Sequence, residues 1–182
     1  MKSKLIMIVA ALLVGIAVLL GVAARQPGAF QISRSARIAA SPATVFGMIN
    51  DLHRWEAWSP WAKLDPAMKV TFDGPPAGVG ASYHWVGNSD VGEGRMTIVE
   101  SRPTEKVGIR LEFVKPMEAR NLTEFALKGQ GTETEVTWLM SGTNNFVSKV
   151  FCLFVSMDKL VGGDFEKGLA QLKSAAEQPT AK

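Results

Sequence analysis

The chain has one cysteine, two histidines and one tyrosine in 182 residues, and each scarcity removes a class of function. A single thiol, Cys152, cannot close a disulfide or build a cysteine metal site within one chain. Set in the apolar run Val150–Val155, it reads as a buried, inert side chain. His53 and His84 form no His-Glu-x-x-His pair, and the sequence has neither a Gly-x-Ser-x-Gly elbow nor a phosphate loop. Gly78-Val-Gly80 is too short for a dinucleotide motif. No metal, cofactor or catalytic set is therefore expected, and both histidines read as surface side chains. A basic stripe is missing as well. Taking Lys2 and Lys4 from the 20 Lys+Arg leaves 18 against 17 Asp+Glu, which offers no track for a phosphate backbone. Nucleic acid is not an expected partner.

What the chain does have is one long apolar run. Leu5–Ala24 is 20 residues without a charge, and as a helix it would span roughly 30 Å, the thickness of the hydrocarbon core. Its length favours an uncleaved anchor over residues 1–25. Gly21-Val-Ala23 would serve as a cleavage site if the segment were instead a signal peptide. Lys2 and Lys4 hold the amino terminus in the cytoplasm against Arg25, Arg34 and Arg37, so the rest is expected outside it, in the periplasm. Residues 26–29, with Pro27 and Gly28, read as a linker.

Residues 30–177 then read as a single domain and 178–182 as a disordered tail. A first strand, Phe30–Ile38, precedes a helix that Ser41 caps and Pro42 opens. From Met68 onward the period changes to two. Strands are expected at 68–72, 80–86, 94–101, 106–113, 119–127 and 133–141, separated by Gly, Pro and Asn/Asp turns. Residues 144–177 are helical in composition, with Gly162-Gly163 expected to kink or divide them. Strand, short helices, six strands and a long helix make an α+β arrangement. A sheet curved around the long helix would enclose a space lined by one face of every strand.

The apolar alternates of each strand identify that face. They include Tyr83 and Trp85, Met96, Ile109, Asn121 and Thr123, and Trp138 and Met140. Phe154, Met157 and Phe165 from the helical region could close it. The same residues would equally serve as a filled core. Three of the five tryptophans, Trp55, Trp58 and Trp61, crowd into seven positions. They could cap the core, touch a ligand, or sit at a membrane interface. No carboxylate falls on the inner face, and Glu112 and Glu124 fall on the outer one, so a general acid or base is not evident.

The stretches IAASPATVFGMINDLHRWEAWSPW (38–61), GVGASYHW (78–85), VGEGRMTIVESRP (91–103), TEVTWLMSG (134–142) and MDKLVGGDFEKGLAQLK (157–173) resemble the START/Bet v1-like (SRPBCC) superfamily. More narrowly, they resemble its bacterial polyketide cyclase/dehydrase-type members with an N-terminal apolar segment. The resemblance implies a helix-grip fold: about seven antiparallel strands around a C-terminal helix, with two short helices after the first strand and a hydrophobic cavity beneath the long helix. It offers no shared catalytic residues to carry over, and fold alone does not fix function. The expected function is a membrane-tethered binder or carrier of a hydrophobic small molecule, a lipid, isoprenoid or polyketide-like compound. The cavity candidates are Trp58, Trp61, Tyr83, Trp85, Met96, Ile109, Asn121, Thr123, Trp138, Met140, Phe154, Met157 and Phe165. One alternative is a cyclase or dehydratase that polarises a carbonyl through Tyr83 or Asn121. Another is an envelope interaction or stress-response module with a packed interior.

Overall fold

The computed structural model describes residues 2–178, so all but the first residue of the expected tail at 178–182 lies outside it. Helix α1, Lys2–Arg25, exposes nearly all of its apolar surface; only Ala23 is buried and Leu19 is half-buried. By length and composition it could cross a membrane, and its place near the N-terminus suits an anchor or a signal sequence.

Strand β1, Ala29–Ile38, leads into α2, Pro42–Asn50. As the sequence suggests, Ser41 caps α2: its Oγ accepts from the Thr44 N–H at 3.2 Å, and Pro42 takes the first helical position, where no amide is needed. Asp51 caps a short 3-10 helix, Leu52–Ala57, in the same way. Six strands follow: β2 Lys69–Asp73, β3 Ser82–Val86, β4 Glu93–Arg102, β5 Lys106–Lys115, β6 Ala119–Gln130 and β7 Glu133–Thr143. The sheet runs β1-β7-β6-β5-β4-β3-β2 with every neighbour antiparallel. Helices α3, Phe146–Phe151, and α4, Met157–Ala176, complete the chain. This is the helix-grip architecture.

The inner face of the sheet is the apolar alternate of each strand, because successive side chains of a strand point to opposite faces. Ile32, Ile98, Ile109, Phe125, Val136 and Trp138 are buried there. Val45, Ile49 and Leu52 from α2 and the 3-10 helix, with Phe165, Leu169 and Leu172 from α4, complete one continuous core. Helix α4 packs chiefly along β1, α2 and the 3-10 helix.

Three expectations for the helical region change. The break falls at Cys152–Ser156, where Ser156 caps a new helix by accepting from the Lys159 N–H at 3.3 Å. Gly162-Gly163 does not divide α4, which runs through both. Gly162 is instead buried where the Arg34 guanidinium crosses the helix, in the space a Cβ would need. Phe154 does not close the interior. It is 72 % exposed in the turn between the two helices, and Cys152 is only half-buried.

Arg34 is the one cation on the inner face of β1. Its Nη1 and Nη2 donate to the two carboxylate oxygens of Asp158 at 3.0 and 3.1 Å, and its Nε donates to Glu166 Oε1 at 2.7 Å. The paired fork geometry fixes α4 against the edge strand more specifically than a single contact would. The hydrogen bonds from Arg34 hold the Asp158 carboxyl below its ordinary range. A depressed folded-state pKa contributes stability above the unfolded value that is lost as pH falls through the folded one. The stability difference between the native chain and an Arg34→Gln variant should therefore narrow below about pH 4, measured by thermal melts in detergent micelles. A Cβ at Gly168 would lie 2.7 Å from the Trp138 ring and 3.1 Å from Pro60. Gly168→Ala should consequently cost about 1–3 kcal/mol by overpacking, read by chemical denaturation.

Candidate functional site

Strand register sorts the inner face into cross-strand rows, and these rows differ in cover. One row runs Val107–Phe125–Trp138–Arg34, and the next runs Ile98–Ile109–Thr123–Met140–Ile32. Every member but Arg34 is buried. A third row, nearer the start of β1, runs Phe72–Tyr83–Met96–Leu111–Asn121–Gly142–Phe30. Its side chains remain partly exposed, up to 41 % at Phe72.

Aromatic packing explains why the first two rows are closed. Trp138 stacks on Phe165 of α4 at 4.2 Å and 8°. Its ring also meets Phe125 at 4.7 Å, Trp58 at 5.8 Å and Trp61 at 5.9 Å. Trp55 and Trp58 turn inward because their indole N–H groups donate to the carbonyls of Ile49 and Met48 at 2.9 and 3.1 Å. Buried indoles need such partners. Trp138 Nε1 lacks one: it is the single buried side-chain nitrogen or oxygen without a hydrogen-bond partner among the described residues. An unmet donor of this kind costs on the order of 1–3 kcal/mol.

The third row forms a partly exposed apolar floor. Phe72 meets Tyr83 edge-on at 5.4 Å, Tyr83 lies 6.1 Å from Trp85, and Trp85 meets Phe113 at 5.8 Å. Trp85 itself is fixed: its ring lies over Gly94, where a Cβ would collide with it, and its Nε1 donates to the Val91 carbonyl at 3.0 Å. Gly142 leaves room for the Asn121 carboxamide and the Phe30 ring in the same manner. Trp61, Met157 and Val161 stay half-buried against the core. A surface depression of about 660 Å³ lies on the outer edge of β1, β7 and β6 around Gln31, Leu122 and Ser141. It shares no inner-row side chain except Phe30.

The sequence candidates thus separate into two groups. Trp58, Ile109, Thr123, Trp138, Met140 and Phe165 are enclosed in the filled half, and Trp85 is closed over Gly94. Tyr83, Met96 and Asn121 share the partly exposed row, Trp61 and Met157 are half-buried against the core, and Phe154 belongs to neither group.

The fold agrees with the comparison to known sequences. The family model for "Polyketide cyclase / dehydrase and lipid transport" matches residues 29–177. The chain belongs to that family. No curated protein matches the sequence. Among solved structures, protein CV1439 from Chromobacterium violaceum is similar over 85 % of this chain and 100 % of its own, at 14 % identity and a TM-score of 0.59. The Aha1 dimer from Colwellia psychrerythraea is similar over 84 % and 99 %, at 17 % identity and 0.59. The Mll3558 protein from Rhizobium loti is similar over 81 % and 96 %, at 19 % identity and 0.57. At these identities the likeness is one of fold.

Within this polyketide cyclase/dehydrase-type scaffold, one polar feature escaped the sequence reading. His53 Nδ1 lies 3.0 Å from Asp51 Oδ1, and the imidazole stacks on Phe72 at 3.9 Å. The pair therefore stands at the Phe72 end of the partly exposed row, near Tyr83. Its signal was the Asp51-x-His53 spacing, in which the capping carboxylate also reaches the ring.

Tyr83 is the chain's only tyrosine, so phenolate absorbance reports on it alone. Burial first and the Glu56 carboxylate second hold its hydroxyl above the ordinary range, which keeps it a hydrogen-bond donor at neutral pH. Alkaline titration should place its midpoint above about 10. Phe72→Ala should lower that midpoint more than Glu56→Gln, since burial is the larger cause.

Proposed function

We propose that this protein is a membrane-tethered binding or carrier domain for a hydrophobic small molecule, a lipid, isoprenoid or polyketide-like compound. The observation that carries the reading is the half-open row Tyr83–Met96–Leu111–Asn121, an apolar floor bearing one hydroxyl donor and one carboxamide within an otherwise filled interior. Binding sites of this kind are mostly apolar, with a few polar groups that set orientation. Trp61, Met157 and Val161 form the facing wall in this reading. Residues 1–25 anchor the domain, 26–29 link it and 30–177 bind the ligand on the extracytoplasmic side. The family's lipid-transport description agrees with the ligand class.

A second reading rests on His53 and Asp51. The carboxylate orients the ring through Nδ1 and leaves Nε2 able to take a proton, which suits a cyclase or dehydratase whose substrate carbonyl is held by Tyr83. An interior without any ligand would instead suit an interaction module.

Native mass spectrometry of the full chain released from its own membrane tests the first reading. A stoichiometric apolar adduct is expected, and Met96→Asp and Leu111→Asp should each weaken its retention about tenfold or more, equivalent to ~1.4 kcal/mol, without loss of far-UV dichroism. Absence of any adduct from a folded chain overturns the carrier reading. Conversion of a polyketide-like probe that disappears in His53→Ala while adduct retention persists would replace it with the enzyme.

A further inference from the structure

The open row lies at one particular end of the sheet. Only Gln26–Gly28 separate α1 from β1, and three residues reach at most about 10 Å. Pairing of Ala29 with Thr143, Asn121 with Gly142, and Phe113 with Ala119 brings the start of β1, the end of β7 and the β5–β6 turn to that same end. Several of the domain's exposed apolar side chains lie there. Phe146, Val147 and Phe151 project from α3, which has no buried residue, and Phe154 from the turn after it. Val114 and Met117 flank the β5–β6 turn.

Helix α3 also touches α1, and Ala23, two residues before the end of α1, is the one residue of that helix removed from solvent. Lys149 of α3 approaches the connector at Gly28. The contact places α3 at the level where α1 ends, with a cation beside aromatic and aliphatic side chains as interfacial segments carry them.

We infer that α3, the turn carrying Phe154 and the β5–β6 turn dip into the interfacial layer of the bilayer that holds α1. The open end of the groove then rests on lipid, and its guest passes between bilayer and groove without crossing water. This inference rests on α1 being an uncleaved anchor. The occupant is the lipid surface: the patch is tethered within reach of one, and α3 packs against the helix that would span it.

The test uses the full chain in vesicles of phosphatidylcholine and phosphatidylglycerol. Single labels are placed in a Cys152→Ser background by Phe154→Cys, Met117→Cys, Val79→Cys and Leu12→Cys, and each is read by quenchers in water and in lipid. Val79 lies at the opposite end of the sheet, in the exposed β2–β3 connection. The expected result is a Leu12 label in the hydrocarbon, a Val79 label in water, and Phe154 and Met117 labels several-fold less accessible from water than Val79. A Phe151→Asp/Val147→Asp double substitution should return the Met117 label to water. If Leu12 is in lipid while Phe154 and Met117 are as accessible as Val79, docking is overturned and the anchor stands. If Leu12 is in water or has been cleaved off, the anchor fails and the inference with it. Protection at Phe154 that disappears as protein is diluted into more lipid assigns the patch to a second copy of the chain and also overturns docking.

Discussion

Trp138 is the contact on which the interior depends. It stands in the middle of β7, with Phe125 beside it on β6, Phe165 stacked above it from α4, and Trp58 and Trp61 arriving from the segment after α2. One indole thereby joins the sheet, the C-terminal helix and the tryptophan-rich turn. The stack at 4.2 Å is possible because Gly168 has no side chain to intrude. Its position also fixes where the interior can be open. Aromatic bulk fills the rows around Trp138, and the inner row nearest the start of β1 stays partly exposed.

Arg34 complements this on the edge strand. An arginine on an inner face has to be paired, since leaving its charge uncompensated would be costly. Asp158 and Glu166, eight residues apart on α4, accept its donors, and Gly162 between them lets the guanidinium lie across the helix. The pairing seats α4 over β1 and away from β2–β5. Helix α2 covers parts of β5, β6 and β7 instead, and Tyr83, Met96 and Leu111, nearer the start of β1, stay half-exposed.

The architecture was readable from local signals. Alternation in each strand named the inner face correctly, because the pleat converts sequence parity directly into sidedness. Ser41-Pro42 located α2 through capping chemistry that operates over four residues. The division of the interior was not readable. Trp58 and Trp61 are the same residue type three positions apart, yet one donates to the Met48 carbonyl and vanishes into the core while the other stays half-open. Gly162 looked like a helix breaker, and its actual reason lies 128 positions away at Arg34. Phe154 looked like a core residue by composition, but no element passes over the turn in which it sits. Each of these outcomes is decided by contacts distant in sequence, which periodicity does not record.

Placing the groove at the end of the sheet nearest α1 has a further physical consequence. A hydrophobic guest leaving a bilayer for a protein through water pays the full cost of hydrating its apolar surface on the way. A groove that opens towards the lipid removes that intermediate state, so transfer requires only that apolar contacts be exchanged. In the proposed docked arrangement, side chains such as Phe146 and Phe151, which would favour aggregation on a freely diffusing protein, have an apolar phase to enter. Anchor, rim and half-open row would then act together, while the filled core around Trp138 holds the row in place.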